Sequence, residues 1–411
     1  MLSPKIIQEK NGLTIVLDYL PYINSAILGL WTKTGSRLEN LNNNGICHFL
    51  EHMVFKGTKN RDSLAISEEI ESKGGYMNAY TSKEKTAWYA KVLSSEVSLA
   101  TDIIFDIIKN PTFPKEELIK EKGVILEEIK MYLDSPQDLA YNLYEKLVYN
   151  NHPLAYPVIG NAKNITGFTS DTFFKHIENF YNPKNMVFVI SGNFNEEAIL
   201  SMVRSHNDNW ASHDITLDYG KPAFHAQKEV LVKPEIEQTN VFYGLPAVSY
   251  TNENYTKLLV TNNILGSGMS SRFFVEIREK RGLAYSVDSF LNSYEDTGTF
   301  VVQVGCATEK TLDVINLIKE EITKTLNTVA DKEILKAKNQ LKSSIIMSLE
   351  SPYSRCNRMA ADILTYRKIK DLNQFITDIE NVSKDDVKQE LQKLSTAEEA
   401  IAVVSNKELN I

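Results

Sequence analysis

His48, Glu51 and His52 stand at a spacing that could hold and use a metal ion. They fall in the stretch Asn44-Gly45-Ile46-Cys47-His48-Phe49-Leu50-Glu51-His52-Met53, continued by Val54-Phe55-Lys56-Gly57-Thr58. On a helix, residues four apart share one face a turn apart, and a residue three positions on projects beside them. The two imidazoles can then grip one ion while Glu51 reaches a water bound to it. This order, H-x-x-E-H, inverts the commoner H-E-x-x-H zinc helix. Histidines so spaced can also be merely packed or solvated. Against that, Ile46, Leu50, Met53 and Phe55 crowd the same run, and burying two imidazoles and a carboxylate without a metal or partners is costly.

The elements that must position these groups are legible around them. A helix is expected from Asn44, which can cap its first amides, to a stop at Gly57. Apolar segments at 13–17 and 26–32 read as antiparallel strands, and 63–73 as a second helix ended by Gly74-Gly75. Segments 76–81 and 86–92 read as paired strands about the turn at 82–85, followed by a helix at 97–108. The long helical pattern at 115–133 places Glu121 and Glu128 two turns apart on one face, with Glu127 rotated away. A catalytic zinc needs a third protein ligand and an open position. Glu128 is the candidate, although spacing alone favours solvated helix charges.

A β-branched strand at 186–192 closes the first half, and periodicity is lost over 205–226. The plan then restarts, with strands at 229–233, 239–245, 285–291, 299–304 and 400–405. Helices are expected at 255–265, 273–280, 309–327 and 331–349. The fold class is therefore α+β, with two similar domains, each a mostly antiparallel sheet packed with helices. Their expected bounds are 1–210 and 227–411, with 211–226 as linker. The glycine-containing loop from Gly266 to Arg272 lacks a P-loop lysine and the strand-then-helix setting of a dinucleotide site, and reads as a connection between helices.

Length and composition agree with this plan. A chain of 411 residues, 43% hydrophobic and 24% charged, is long enough for two or three domains. A net charge of −8 with interspersed signs gives no footprint for nucleic acid. No apolar run reaches the roughly 18 residues of a membrane span, and Met1 to Lys10 lacks the plan of a signal peptide, so a cytoplasmic protein is expected. Three widely spaced cysteines argue against a disulfide framework and for a reducing compartment. Cys47 points about 100° away from His48 on a helix, and reads as a small buried residue and not a ligand.

These stretches, with Gly35-Ser36-Arg37, Gly74 to Thr81, Glu121 to Glu128 and Arg278 to Ser286, resemble the insulinase/pitrilysin zinc metallopeptidases. The likeness is closest to their short bacterial and mitochondrial processing peptidase-like branch, and it runs over essentially the whole chain. The resemblance implies one Zn²⁺ per chain on His48, His52 and Glu128, with Glu51 as general base and Glu121 as a supporting acid. It implies that Asn78 and Ala79 hold substrate backbone as an added strand, and that Tyr80 lies beside the scissile bond. Arg278 and Tyr285 would reach the site from a second-half domain. In relatives that cut near an arginine, two acids follow the third ligand. Here those positions are Asp138 and Asn142, half of such a pocket. Two chains are expected to close a clamshell chamber, and because this chain carries both residue sets, a homodimer is expected. The implied function is a zinc-dependent endopeptidase acting on peptides or presequence-like, unfolded segments. The alternative is an inactive chamber or assembly subunit of the same family.

Overall fold

The structure, a computed structural model, describes residues 4–411. Residues 1–3, the first part of the segment weighed against a signal peptide, lie outside the described residues. Among the described residues, no helix is long and apolar enough to cross a membrane.

Strands β1 (Lys5–Gln8), β2 (Thr14–Tyr19), β3 (Ser25–Thr32), β4 (Tyr76–Thr81), β5 (Thr86–Leu93) and β6 (Met186–Gly192) form one sheet in the order β1-β2-β6-β3-β5-β4. Only the β2–β6 pair is parallel. The β-branched run of β6 is buried along its whole length, as a central strand covered on both faces must be. Its residues alternate between two layers. Phe188 and Ile190 face the core shared with helices α1 (Ile46–Met53), α2 (Ser63–Glu71) and α3 (Val97–Lys109). Val187 and Val189 face Cys356, Met359, Ala360 and Ile363 of the Pro352–Tyr366 helix. That helix is pinned by Arg355, which donates two hydrogen bonds of 2.6 Å to the buried Asp18 of β2.

Strands β7 (Lys228–Val232), β8 (Thr239–Ala247), β9 (Ala284–Ser293), β10 (Gly298–Cys306) and β11 (Ala400–Ser405) form a second sheet, ordered β7-β11-β8-β10-β9. Without β1, the first sheet reads first, last, second, fourth, third strand, and the second sheet reads the same. Each also has one parallel pair, β2–β6 and β7–β11. This is the α+β plan of two similar domains expected from the sequence.

Helix α4 (Lys115–Asp134) fills the long acidic pattern, and helix α5 (Pro136–Tyr149) follows it directly. Residues in close contact group into two units. One holds the chain up to Lys130 with Tyr156–Tyr219 and Met347–Lys370, and the other holds Met131–Ala155, Gly220–Ile346 and Asp371–Ile411. The division departs from a single cut within 211–226 at two places. The buried face of α5 lies on the second sheet, with the Tyr141 and Tyr144 rings 5.4 and 6.2 Å from Phe242. The Pro352–Tyr366 helix lies on the first. One of the points at which the chain passes between units, Tyr219 to Gly220, falls inside the segment read as linker.

Candidate metal centre

Helix α1 begins at Gly45, whose φ of 98° is open to glycine, and a Cβ there would sit 2.8 Å from Gly160 Cα. Asn44 does not cap it, which corrects the sequence expectation. The Asn44 side chain instead donates to Glu39 and to the Pro157 carbonyl, both at 2.9 Å. Buried Glu39 takes the capping role, accepting from the amides of Gly45 and Cys47 at 2.8 Å each. Burial raises its pKa to about 7 against the pull of those amides and of Asn44. The helix ends in a turn at Val54–Lys56 and stops at Gly57. Cys47 is fully buried.

His48 and His52 emerge from one face of α1 with ring centroids 4.8 Å apart. Glu128 of α4 reaches both, its Oε2 lying 3.8 Å from His48 Nε2 and 4.0 Å from His52 Nε2. Ligand atoms of the three residues all lie within 4.8 Å of one another, and among the described residues this is the one such group of three or more metal-binding side chains. Two donors bound to one zinc at about 2.1 Å can be at most about 4.2 Å apart, and both carboxylate–imidazole separations fall inside that limit. Burial, then the neighbouring His52, lowers the pKa of His48 to about 4, so its ring is neutral and ready as a ligand near neutral pH. Burial would lower His52 as well, but Glu121, Glu51 and Glu128 outweigh it and raise its pKa. Glu127 points away and pairs at 2.6 Å with Lys130 on the exposed side of α4.

Glu121 supports the set. Its Oε2 lies 3.2 Å from His52 Nδ1, and its Oε1 takes Lys56 Nζ at 2.8 Å. A carboxylate on the far ring nitrogen fixes the tautomer and turns the other nitrogen toward an ion. Burial raises the Glu121 pKa, but the His52 and Lys56 contacts prevail and lower it. Glu51 coordinates none of these partners and accepts a 2.6 Å hydrogen bond from the Thr81 hydroxyl. Burial raises its pKa, opposed by Thr81 and His52. The donor set therefore fits a zinc ion: three ligands, an oriented imidazole and one spare carboxylate.

β4 is an edge strand, paired among the described residues with β5 alone. Asn78 and Ala79 line a cavity of about 300 Å³ with Glu51, His52, Phe55 and Met77, so both substrate-binding candidates stand beside the base. Tyr80 does not. Neighbouring strand residues point to opposite faces, and its hydroxyl donates to Asn357 Oδ1 at 3.0 Å among residues packed under the Pro352–Tyr366 helix. The ring expected beside the scissile bond is thus committed to the opposite layer. Asp138 lies in the first turn of α5, counted with the second unit, its amide bonded to Ser135. Arg278 and Tyr285, also of the second unit, do come together. Arg278 sits in a π-helical turn at Phe274–Glu279 with its guanidinium 4.8 Å from the Phe274 ring and 5.5 Å from that of Tyr285. Tyr285, on β9, is 74% exposed.

Two mixed sheets and one His-His-Glu donor group set out the class of fold and site, and comparison with known proteins gives the family. Residues 14–162 match the family described as insulinase (peptidase family M16), and residues 167–341 match the peptidase M16 inactive domain. The uncharacterized zinc protease YmxG of Bacillus subtilis (strain 168) is 37% identical over 397 residues, covering 96% of this chain and 97% of the relative. An uncharacterized zinc protease of Rickettsia felis is 35% identical over 405 residues, covering 97% of each. The crystal structure of a peptidase M16 inactive domain from Pseudomonas fluorescens superposes with a TM-score of 0.91 over 100% of this chain and 99% of that one, at 20% identity. A protease from Helicobacter pylori gives 0.89 at 21% identity, over 98% and 99%. The chain belongs to the insulinase, or M16, peptidase family.

Proposed function

We propose that this chain is a zinc-dependent endopeptidase that hydrolyses peptides or unfolded segments bound as an added strand along β4. The observation that carries this reading is the division of labour at α1, where His48, His52 and Glu128 gather as donors and Glu51 is left over. Zinc held by those three would act as a Lewis acid and lower the pKa of water toward about 7. Glu51 takes a proton from the attacking water and returns it to the leaving amine as the C–N bond breaks. Glu121 keeps His52 turned toward the ion. The open edge of β4 offers backbone groups to an extended peptide, which makes recognition tolerant of sequence. Asp138 with Asn142 would supply at most half of an arginine pocket.

In the same reading Arg278 and Tyr285 steady the oxyanion of a second copy's site, in a homodimer that closes a chamber. Glu51→Gln should retain zinc by metal analysis while hydrolysis of a quenched peptide falls by about 10²–10⁴-fold. Loss of the metal, or near-normal turnover, rejects the assignment of the base. Mixing Glu51→Gln chains with Tyr285→Phe chains, each poorly active alone, should restore about one working site in two. Mixed dimers that form and stay inactive reject the shared site.

A further inference from the structure

We propose that Thr81 is a positioning residue for Glu51, its hydroxyl holding one carboxylate oxygen so that the other is left to exchange the proton. The inference rests on the peptidase reading and adds to it the group that aims the base. A helix fixes the Cα of a glutamate but leaves three side-chain torsions to place its carboxylate. Thr81 removes that freedom. Its Oγ1 donates to Glu51 Oε2 at 2.6 Å, the short separation expected of a hydroxyl on a charged acceptor. It is the one side-chain hydrogen-bond donor to the Glu51 carboxylate among the described residues. The hydroxyl has a single proton, and its approach to the Cys47 carbonyl, at 3.5 Å, is too long to compete.

The donor is itself well held. Thr81 is β-branched, so its χ1 is stiff, and it ends β4 opposite Thr86 of β5. Met77 and Ala79, on the same face of β4 four and two residues back, pack against the core that includes α1. The strand whose free edge carries Asn78 and Ala79 thus also anchors the base. A peptide laid along that edge and the carboxylate that serves it take their register from one piece of backbone.

The test compares Thr81→Val, which keeps the shape and loses the donor, with Thr81→Ser, which keeps the donor. Peptide hydrolysis is split into kcat and KM, zinc affinity is read by chelator competition, and folding is checked by thermal melting. Thr81→Val should lose about 10–100-fold in kcat, the usual effect of removing a supporting contact. Its KM and zinc affinity should stay within about twofold, and serine should recover most of the rate. The proposal is overturned if valine turns over like the wild type, if serine is as poor as valine, or if zinc affinity falls in step with kcat. If the zinc-loaded wild type cleaves no peptide, the peptidase reading has failed on its own. Crystal structures of wild type and Thr81→Val then decide the positioning: an unmoved Glu51 carboxylate overturns it, and a displaced one upholds it.

Discussion

The two sheets share one strand order, yet the helices laid against their edge strands do different things. In the first unit α1 presents two histidines and a glutamate beside β4. In the second, the Tyr255–Gly266 helix beside β9 holds no histidine and no acid. A common device survives in both. Thr81 of β4 donates to Glu51 Oε2 at 2.6 Å, and Ser289 of β9 donates to Asn262 Oδ1 at 2.8 Å. An edge-strand hydroxyl gripping a side-chain oxygen on a helix is therefore compatible with pure scaffolding. What distinguishes the first unit is the charge of the acceptor and its neighbours. Asn262 is neutral, whereas Glu51 stands next to a metal-ready set. The strand order is repeated, and among the described residues the one candidate metal-ligand group stands in the first unit.

The largest effect expected from breaking this contrast is loss of the third ligand. Glu128→Gln should weaken zinc retention by more than the about 10–100-fold typical of a supporting contact, while Glu127→Gln leaves it unchanged. Equilibrium dialysis against a chelator measures both. The opposite order would place the ligand one residue earlier and take α4 out of the register described above.

A smaller effect is expected one contact further out. Lys56→Met removes the ammonium from Glu121 Oε1 but leaves Glu121 Oε2 on His52 Nδ1. Zinc affinity should fall by about tenfold, the lower end for such contacts, with Glu121→Gln falling further. Equal losses in the two variants would show that Lys56 is the principal support and Glu121 only its intermediary.

The centre was legible in the sequence only as far as local spacing reaches. The i, i+3, i+4 pattern gave His48, Glu51 and His52, because all three sit on one helix whose geometry is set by the backbone. Glu128 could be placed on the right face of α4, but periodicity does not say what that face packs against, so the resemblance had to supply its role. Thr81 and Lys56 carried no signal, since their partners Glu51 and Glu121 are met through tertiary packing. Glu39 was missed for a related reason. Asn44 has the chemistry of a cap at the right place, but a carboxylate from five residues further back reaches the same amides and turns Asn44 into its own donor. Strand alternation sets Tyr80 opposite Ala79 and Thr81, but the partner of its hydroxyl, Asn357, comes from a helix far along the chain. The exchange of α5 and the Pro352–Tyr366 helix was beyond reach. Buried Leu143, Tyr144, Leu147 and Val148 mark an apolar helix face, but nothing in that pattern names the sheet that receives it.

The smallest expected effect is also the sharpest control on the comparison. Ser289 is 3% exposed and its hydroxyl bonds Asn262, and the helix approaches β9 so closely that a Cβ on Gly266 would meet Ser289 Oγ at 2.1 Å. Ser289→Ala removes a donor to a neutral acceptor, so it should cost about 1 kcal/mol of stability, the usual net value of such a bond. Urea unfolding of the wild type and of Ser289→Ala measures that difference. Zinc affinity and kcat should not change, because the one candidate metal-ligand group among the described residues, His48, His52 and Glu128, lies on α1 and α4 and not at Asn262. Thr81→Val should differ in turnover, with a large loss of kcat, and like Ser289→Ala leave zinc affinity little changed. The two substitutions each remove a hydroxyl donor from an edge strand to a helix, Thr81 at the end of β4 and Ser289 within β9. If Ser289→Ala slowed hydrolysis as much as Thr81→Val, the edge hydroxyl would be acting through the stability of the scaffold in both units. If only Thr81→Val slows it, the contact has acquired a second use where the helix carries a base.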